Sequence, residues 1–336
     1  MRAPEFWARD GALPRLLAPL GQAYHLAGVL RRALVTPWQA PVPVICVGNL
    51  VAGGAGKTPV ALSLLEILEQ RGHAPAALTR GYGGRTAGPT RVDAAIHDAA
   101  AVGDEALLLA RMAPTWVAGD RVAGAKAAVA AGADVLVMDD GFQNPGLKKD
   151  LSLLVVDGAY GLGNGRVIPA GPLRETPASG LARADAVVVV GAEAAAIDRR
   201  LAQRPILRAR LVPDDAALAG RRVLAFAGIG RPEKFFDSLR GLGAELAGTR
   251  AFADHQPYDT AILTELRQAA EAAQATLVTT AKDALRLGPE KPGDILVLDV
   301  SLAWEDKSAL SELLARLPLS AAPDPAAKHP PQEQPG

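Results

Sequence analysis

The stretch VICVGNLVAGGAGKTPVALSLLEIL, residues 44–68, decides the fold of this chain. It begins with an apolar run typical of a buried strand, continues through a glycine-rich loop, and ends in an apolar helix. Loops placed between a strand and a helix in this way bind nucleotide phosphates. The pattern G-x-x-x-x-G-K-[ST] fits from Gly56 onward, but Val51 stands at the position of its first glycine. The glycines nearest the phosphates are kept, so the stretch still predicts a phosphate loop.

Eight consecutive residues of this predicted loop, 51–58, are candidates for nucleotide binding. The backbone N–H groups of the loop and the positive end of the following helix are expected to surround the phosphates of a nucleoside triphosphate. Lys57 is expected to reach the β- and γ-phosphates, and the hydroxyl group of Thr58 to bind Mg²⁺. The predicted nucleotide-binding residues are Val51, Ala52, Gly53, Gly54, Ala55, Gly56, Lys57 and Thr58.

Composition and charge narrow the class of protein. The chain has 336 residues, of which 49% are hydrophobic, and its 36 basic side chains balance 36 acidic ones. This length is enough for two domains, and a net charge of zero gives no indication of a nucleic-acid partner. No obligate protein partner is indicated either. The single cysteine, Cys46, lies in a predicted strand, which favours a reducing compartment. Because no secretory signal or membrane-spanning apolar run is recognised, we expect a cytosolic chain.

The N-terminal segment has an unusual distribution of apolar and basic side chains. Large apolar residues recur at helical spacing, with aromatic residues before them and an arginine pair after them. The apolar residues are Leu13, Leu16, Leu17, Leu20, Tyr24 and Leu30, and the flanking residues are Phe6, Trp7, Arg31 and Arg32. A helix of this kind can lie in an anionic membrane surface. The pattern alone favours an ordinary helix that packs on the core and is interrupted at Pro14 and Pro19.

Strands and helices alternate after residue 40, which predicts an α/β fold with a doubly wound parallel sheet of the phosphate-loop NTPase type. Predicted strands cover residues 43–48, 74–79, 115–119, 134–140, 151–157 and 186–191, with helices over 58–71, 103–112 and 121–131. A second set follows, with strands at 206–212, 223–229, 276–281 and 294–300 and helices at 232–241 and 259–273. We therefore expect an amphipathic segment (1–40), a phosphate-loop domain (41–203), a smaller α/β lobe (204–318) and a disordered tail (319–336).

Charged residues outside the loop are candidates for phosphate-transfer chemistry. Asp139 and Asp140 end a predicted buried strand, where phosphate-loop proteins hold magnesium. Asp104 and Glu105 begin a predicted helix, and they are either candidate bases or simple helix caps. His255 follows Asp254 in a turn, and it either takes part in proton transfer or is merely solvated. The candidate phosphate clamps, each equally a possible surface residue, are Arg80, Arg121 and Arg174.

Seven short motifs follow one another along the chain: GNLVAGGAGKTP, TRGYGG, GDEALLLA, DDGFQ, GRVIPAGPLRE, FADH and TTAKDALRL. In this order, and up to about residue 318, they resemble the tetraacyldisaccharide 4'-kinase (lipid A 4'-kinase) family. The resemblance implies an ATP- and magnesium-dependent kinase that phosphorylates the 4'-hydroxyl group of a tetraacyl glucosamine disaccharide 1-phosphate in lipid A biosynthesis. It also implies a peripheral protein on the cytoplasmic face of the bacterial inner membrane, with a membrane-embedded glycolipid substrate. The N-terminal segment thereby becomes a candidate membrane-binding helix.

The resemblance also implies roles for individual residues. Asp104 is implied as the base that takes the hydroxyl proton, with His255 as its partner, and Lys57 as the residue that holds the β- and γ-phosphates. The implied magnesium ligands are Thr58, Asp139 and Glu105. The residues implied to line the site are Asp140, Gln143, Arg121 and Arg174, with Arg80 as a further candidate.

Two positions depart from the family pattern, and some alternatives stay open. Asn144 follows DDGFQ where the family usually has histidine, and Ala281 stands where TTEKD is expected, although neither change removes an implied catalytic residue. An ATPase switch needs a lysine before the two glycines, but that position is Ala52. A GTPase needs N-K-x-D, whereas Lys282 and Asp283 are adjacent. A kinase of a soluble metabolite and a non-enzymatic membrane-docking module remain as alternatives.

Overall fold

The computed structural model describes residues 4–193, 201–213, 218–287 and 293–319. Its strands are β1 (Val44–Gly48), β2 (Pro75–Thr79), β3 (Thr90–Arg91), β4 (Thr115–Val117), β5 (Val135–Asp139), β6 (Leu151–Asp157), β7 (Ala186–Val190), β8 (Ile206–Pro213), β9 (Arg222–Ala227), β10 (Glu245–Ala251), β11 (Thr276–Thr280), β12 (Ile295–Leu298) and β13 (Val300–Trp304). Its α-helices are α1 (Ala12–Ala33), α2 (Lys57–Gln70), α3 (Ala99–Val102), α4 (Asp104–Ala110), α5 (Arg121–Ala130), α6 (Pro177–Leu181), α7 (Pro232–Gly241), α8 (Thr260–Ala272), α9 (Ala281–Ala284) and α10 (Lys307–Ala315). Short 3₁₀ helices cover Glu5–Trp7 and Leu201–Gln203.

The larger sheet has nine strands in the order β13-β8-β7-β6-β1-β5-β2-β4-β3. Its two edge strands, β3 and β13, run antiparallel to their neighbours. All the other pairs of neighbouring strands in this sheet are parallel. From β1 the chain builds outward in both directions, through β5 and β2 on one side and through β6 and β7 on the other. This arrangement makes the carboxyl end of β1 a topological switch point, where open α/β sheets bind their ligands.

Helices cover both faces of the central strands, and this explains why their sequences are continuously apolar. Every residue of β1, β2, β5, β6 and β7 is buried. Along β1, Ile45 and Val47 belong to the cluster packed with α2 and α10, whereas Val44 and Cys46 belong to the opposite cluster with α5. Buried parallel strands are apolar on both sides for this reason.

The smaller sheet has four parallel strands in the order β10-β9-β11-β12, with α7 and α8 on opposite faces. The second lobe was expected to begin at residue 204, but β8 pairs in parallel with β7, and β13 pairs antiparallel with β8. The chain therefore leaves the larger sheet after β8 and returns to it at β13. A local apolar pattern identifies a strand but not the sheet that it joins. For this reason β8 and β13 belong to the larger sheet, whereas the prediction assigned residues 204–318 to the second lobe.

Three strands were not predicted from the sequence: β3, β10 and β13. Strand β10 lies at the edge of its sheet, is mostly half-exposed, and has an irregular register between Leu246 and Gly248. Its glycine and alanines lack the β-branched and aromatic side chains that mark strands. The predicted strand at 294–300 divides into β12 and the start of β13. The predicted tail, 319–336, lies outside the described residues apart from Leu319.

Helix α1 is one continuous helix of 22 residues, although Pro14 lies in its first turn and Pro19 in its interior. The face toward the protein contains buried Pro14 and Gly21 and half-buried His25 and Arg32. A Cβ atom on Gly21 would lie 2.8 Å from the carbonyl oxygen of Val167, so the helix approaches the protein closely through this glycine. The packed face therefore consists mainly of small and polar side chains.

The large apolar side chains of α1 point away from the protein. Leu16 is 76% exposed, and Leu34, just after the helix, is 85% exposed. Other exposed apolar residues of this surface are Leu13, Leu20, Tyr24, Leu26 and Leu30. The alternative in which these leucines pack on the core is wrong, because the inward face is occupied by small and polar residues. Within the described ranges, no helix is both long enough and apolar enough to cross a bilayer.

Candidate active site

The glycine-rich loop lies at the carboxyl end of β1 and leads into α2. Gly53 and Gly56 have positive φ angles of 130° and 86°, which glycine adopts without strain. Val51 instead forms an antiparallel bridge with Leu173, and the N–H group of Ala52 donates to the carbonyl of Pro172 at 2.8 Å. A β-branched residue suits a bridge of this kind. This pairing explains why valine is accepted where the phosphate-loop pattern has glycine.

Thr58 and Asp139 meet at the start of α2. The hydroxyl group of Thr58 donates to Oδ2 of Asp139 at 3.0 Å, and both side chains are buried. They are neighbours because Asp139 ends β5, which pairs with β1. Burial raises the pKa of Asp139 to about 6; Asp140 and Glu105 also raise it, and Lys57 opposes them. Oδ1 of Asp139 has no hydrogen-bond partner among the described residues, so this carboxylate has a free acceptor for a cation.

Two cationic side chains lie against Asp140. This residue follows Asp139 and has a left-handed backbone conformation, with φ 53°. Nζ of Lys57 lies 3.6 Å from its Oδ1, and a terminal nitrogen of Arg174 donates to the same oxygen at 2.9 Å. Burial raises the pKa of Asp140, but Lys57 and Arg174 outweigh this effect and lower it. Burial in turn lowers the pKa of Lys57. The loop therefore opens onto a lysine and an arginine that share one carboxylate.

Asp104, which is buried, and His255, which is half-buried, form a pair that joins the two lobes. Nδ1 of His255 lies 2.9 Å from Oδ2 of Asp104, and this hydrogen bond raises the pKa of the imidazole. Asp104 is the first residue of α4, but the N-cap position is Gly103, which makes no side-chain cap. The helix-capping alternative for Asp104 is therefore wrong. The carboxylate of Asp254 lies 3.8 Å from Nε2 of His255, on the other side of the ring.

Two cationic side chains of the second lobe contact the adjacent carboxylates Asp104 and Glu105, which we call the acidic pair. The sequence analysis assigned no role to either cation. Lys282 donates to Oε1 of Glu105, and Nε of Arg286 lies 3.3 Å from Oδ2 of Asp104. Arg286 is almost fully buried and also bonds to Asp283 at 2.8 Å. Both cations belong to the TTAKDALRL stretch that follows β11. Lys282 and Arg286 are one helical turn apart and follow a strand end. This pattern was the sequence signal that could have indicated their place in the site.

The chain is similar to known proteins over nearly its whole length. Residues 13–318 match the family model described as LpxK, tetraacyldisaccharide-1-P 4'-kinase. The chain belongs to the tetraacyldisaccharide 4'-kinase family. It is 57% identical over 326 residues to a tetraacyldisaccharide 4'-kinase of Rhodospirillum centenum, covering 94% of this chain and 97% of the relative. It is 54% identical over 327 residues to that of Paramagnetospirillum magneticum, covering 96% and 100%.

The fold of this tetraacyldisaccharide 4'-kinase family member also matches a solved structure. The structure of LpxK from Aquifex aeolicus in complex with ATP superposes with a TM-score of 0.72 at 26% sequence identity, covering 91% of this chain and 99% of that one. The predicted family resemblance and α/β fold class are thereby confirmed.

The remaining predicted arginines of this family member lie close to one another. Arg121, the first residue of α5, is buried and donates to the carbonyl of Ala118, but its Nε has no hydrogen-bond partner among the described residues. Burial, and to a lesser extent the positive charge of Arg80, lowers its pKa to about 10. Arg80 itself is exposed. A buried guanidinium with an unused N–H group is suited to an anion.

Charge interactions connect the two halves of the site. The charge of Glu105 contributes to the raised pKa of Asp139, and the charge of Lys282 contributes to the lowered pKa of Lys57. The phosphate loop and the acidic pair on α4 are therefore within electrostatic reach. The family departure at Asn144 has a structural use, because its side-chain oxygen accepts from two backbone N–H groups of the next turn.

Proposed function

We propose that this chain transfers the γ-phosphate of ATP to the 4'-hydroxyl group of a tetraacyldisaccharide 1-phosphate, the reaction for which its family is named. The observation that carries the proposal is the family match over residues 13–318, in a chain where the buried carboxylate of Asp104 pairs with the half-buried imidazole of His255. The relative from Aquifex aeolicus was solved in complex with ATP, which supports ATP as the donor.

Asp104 acts as the general base in this proposal. The acceptor hydroxyl group must lose its proton as it attacks phosphorus, and a carboxylate that only accepts hydrogen bonds is suited to take it. His255 holds this carboxylate from one side and is itself about 29% exposed, so the proton can pass from Asp104 through the imidazole toward solvent.

Lys57 and Arg174 neutralise the charge of the transferred group. Both lie against Asp140, and phosphate oxygens would compete with that carboxylate for them. Because both cations are already held at the mouth of the loop, little reorganisation is needed when ATP binds. The N-terminal amides of α2 supply further donors.

Magnesium would be held by Thr58 and Asp139, with Glu105 close by. The free Oδ1 of buried Asp139 supports this assignment, because an ionised carboxylate in that position needs a cation or donor. Among the described residues, no group of three or more His, Cys, Asp or Glu side chains is arranged to hold a metal ion. Mg²⁺ commonly uses one or two carboxylates and completes its shell with phosphate oxygens and water, which agrees with this set. When bound, the ion would neutralise negative charge on the phosphates.

The outward face of α1 is proposed as the membrane-binding surface, on the cytoplasmic side of the inner membrane. An acylated acceptor stays in the bilayer, so the enzyme must reach the membrane surface. Leu16, Leu34 and the other exposed apolar residues of α1 support this proposal, as does the exposed Arg31 near its C-terminal end. Trp7 was a candidate for the membrane interface. Its indole N–H instead donates to the carbonyl of Pro169 at 3.1 Å, so this side chain helps to attach the N-terminal segment to the protein.

Radiolabelled ATP, supplied with a panel of acyl-disaccharides and soluble sugars, tests the reaction. Label should pass to the tetraacyldisaccharide 1-phosphate and not to soluble sugars. Asp104→Asn should lower turnover by about 10²–10⁴-fold while the affinity for a non-hydrolysable ATP analogue stays nearly unchanged. Asp237→Asn, an exposed aspartate on α7, is the control and should keep the rate. Equal labelling of soluble sugars would exclude the lipid acceptor, and full turnover in Asp104→Asn would exclude Asp104 as the base.

Vesicle binding tests the membrane surface. Leu16→Ser and Leu34→Ser should each weaken partition onto vesicles of phosphatidylethanolamine and phosphatidylglycerol by about tenfold, since burying a leucine contributes roughly 1.5 kcal/mol or more. Leu211→Ser is the control, because Leu211 is also exposed, at 41%, but lies on β8 in the larger sheet. A loss of binding in the control as large as in the α1 variants would contradict the assignment of this surface.

A further inference from the structure

The C-terminal turn of α1 contacts a buried carboxylate that the proposed chemistry does not use. A terminal nitrogen of Arg32 donates to the hydroxyl group of Ser179 at 3.0 Å, and another lies 3.5 Å from Oε2 of Glu175. Ser179 also donates to this Oε2 at 3.1 Å. Glu175 is 1% exposed, and Arg183 is its second arginine partner. The helix with the exposed leucines is thus joined to a residue of the interior.

The carboxylate of Glu175 is also connected to the phosphate loop, through Gln143. Oε1 of Glu175 accepts a hydrogen bond from Nε2 of Gln143 at 3.2 Å, and this Nε2 also donates to the carbonyl of Asn49 at 2.9 Å, where the loop begins. Oε1 of Gln143 accepts from Arg174 at 3.2 Å, and Arg174 in turn holds Asp140. An unbroken series of hydrogen bonds therefore runs from Arg32 to the cations at the mouth of the loop.

Glu175 strengthens one orientation of the amide group of Gln143. An ionised carboxylate only accepts hydrogen bonds, so the NH₂ group of Gln143 must face it, and the amide oxygen must then face Arg174. The carbonyl of Asn49, which accepts from the same NH₂ group, favours this orientation too. A glutamine in place of Glu175 removes the contribution of the carboxylate, because its own amide group can donate or accept.

We propose that Glu175 is a positioning residue through which the docking of α1 aligns the ATP-binding groups. Arg32 holds Glu175, Glu175 orients Gln143, and Gln143 aligns Arg174 and the entry to the phosphate loop. The proposal rests on ATP-dependent phosphate transfer at this site and adds to it a link between the N-terminal helix and the affinity for nucleotide. A helix seated against the protein then favours a site ready for ATP.

Adjacent arginines on α1 allow a matched test. Arg31 and Arg32 carry the same charge at neighbouring positions of α1, but Arg31 is exposed, whereas Arg32 lies on the inward face and contacts Glu175. Arg32→Met should weaken the binding of a non-hydrolysable ATP analogue, measured without membranes, by about threefold or more. Arg31→Met should leave that affinity unchanged. Arg31→Met, which removes an exposed charge, should weaken vesicle binding at least as much as Arg32→Met. Arg32→Lys, which keeps the charge, should recover part of the nucleotide affinity.

Glu175→Gln completes the test. It should raise the KM for ATP by roughly tenfold, the effect typical of a residue that orients a ligand-binding neighbour, while the KM for the acceptor in detergent micelles changes little. Combining it with Arg32→Met should add almost nothing, because both changes interrupt the same series of contacts. A general loss of structure would instead lower the melting temperature and raise both KM values.

Three results would overturn the proposal: equal analogue affinity in Arg32→Met and Arg31→Met, additive effects in the double variant, or equal rises in both KM values for Glu175→Gln. If Glu175→Gln does not fold, the Arg32 and Arg31 variants still decide the question. If the unsubstituted chain transfers no label to the lipid acceptor, the proposed reaction fails, but the affinity comparison is measured without acceptor and remains informative about the link.

Discussion

Asp139→Asn should stabilise the nucleotide-free protein, although it removes a proposed magnesium ligand. Asp139 is buried, one of its oxygens accepts from Thr58, and the other has no hydrogen-bond partner among the described residues. Burial raises its pKa from 3.8 to about 6. A carboxyl group with a raised pKa ionises less readily in the folded chain than in the unfolded one. Its negative charge therefore lowers the free energy of unfolding at neutral pH.

The size of this effect follows from the two pKa values. The difference between 3.8 and about 6 corresponds to about 3 kcal/mol. Because the folded chain keeps its proton to higher pH, stability falls as the pH rises from about 4 to about 6 and then stays constant. Asparagine carries no charge and can still accept from Thr58. Asp139→Asn should therefore raise the free energy of unfolding by up to about 3 kcal/mol at pH 8, and by about half as much at pH 5.

Urea denaturation at pH 5 and pH 8, without Mg²⁺, measures the change. Asp140→Asn is the matched control: its pKa is lowered, because Lys57 and Arg174 outweigh burial, so its loss should destabilise the protein at pH 8. Mg²⁺ with ATP should raise the melting temperature of the unsubstituted chain and not that of Asp139→Asn. The reasoning is refuted if Asp139→Asn is no more stable than the unsubstituted chain at pH 8, or if both substitutions change stability in the same direction.

Three further predictions concern the lobe contact and α1. The stability that His255 provides is present below pH 6.5 and lost as the pH rises through its raised pKa, so His255→Ala should lower the melting temperature more at pH 6 than at pH 9; an equal loss at both would contradict an ion pair with Asp104. Arg286→Met should cost about 3–5 kcal/mol in urea denaturation, because it leaves a buried carboxylate uncompensated, whereas Arg267→Met, at an exposed ion pair, should cost about 1 kcal/mol or less. Gly21→Ala should loosen α1 and increase its proteolysis, since the added Cβ meets a carbonyl oxygen at 2.8 Å; unchanged cleavage would show that the helix is not packed as described.

Much of the central sheet could be predicted because its strands are buried on both faces. Continuous apolar runs such as VICVG and AVVVV have no other stable location in a chain of this kind. Strands at the edges were harder to find. Strand β10 is partly exposed and irregular, and β13 was joined with β12 in the prediction, because an exposed strand does not need an apolar pattern.

Part of the site could also be predicted, and the rest depends on contacts between distant segments. The loop at residues 51–58 is a local structure, since its glycines and the helix that follows act within a few residues. The contact of Asp104 with His255 spans 151 residues, and that of Lys282 with Glu105 spans 177. For these residues the family resemblance supplied candidates, but no spacing rule pairs them. Glu175 and Arg286 lie in the motifs GRVIPAGPLRE and TTAKDALRL, but the sequence gives no indication of their contact partners.

The sequence alone determined that a phosphate loop follows a buried strand in an α/β fold, because backbone conformation and burial on both faces act on neighbouring residues. Only the tertiary structure decided that α1 exposes its leucines, since the amphipathic pattern is the same whether they meet protein or solvent. It also decided that β8 and β13 join the larger sheet, and that cations of the second lobe lie against Asp104 and Glu105. These features depend on which surfaces meet across long loops, and side-chain chemistry at one position does not encode the partner that it will find.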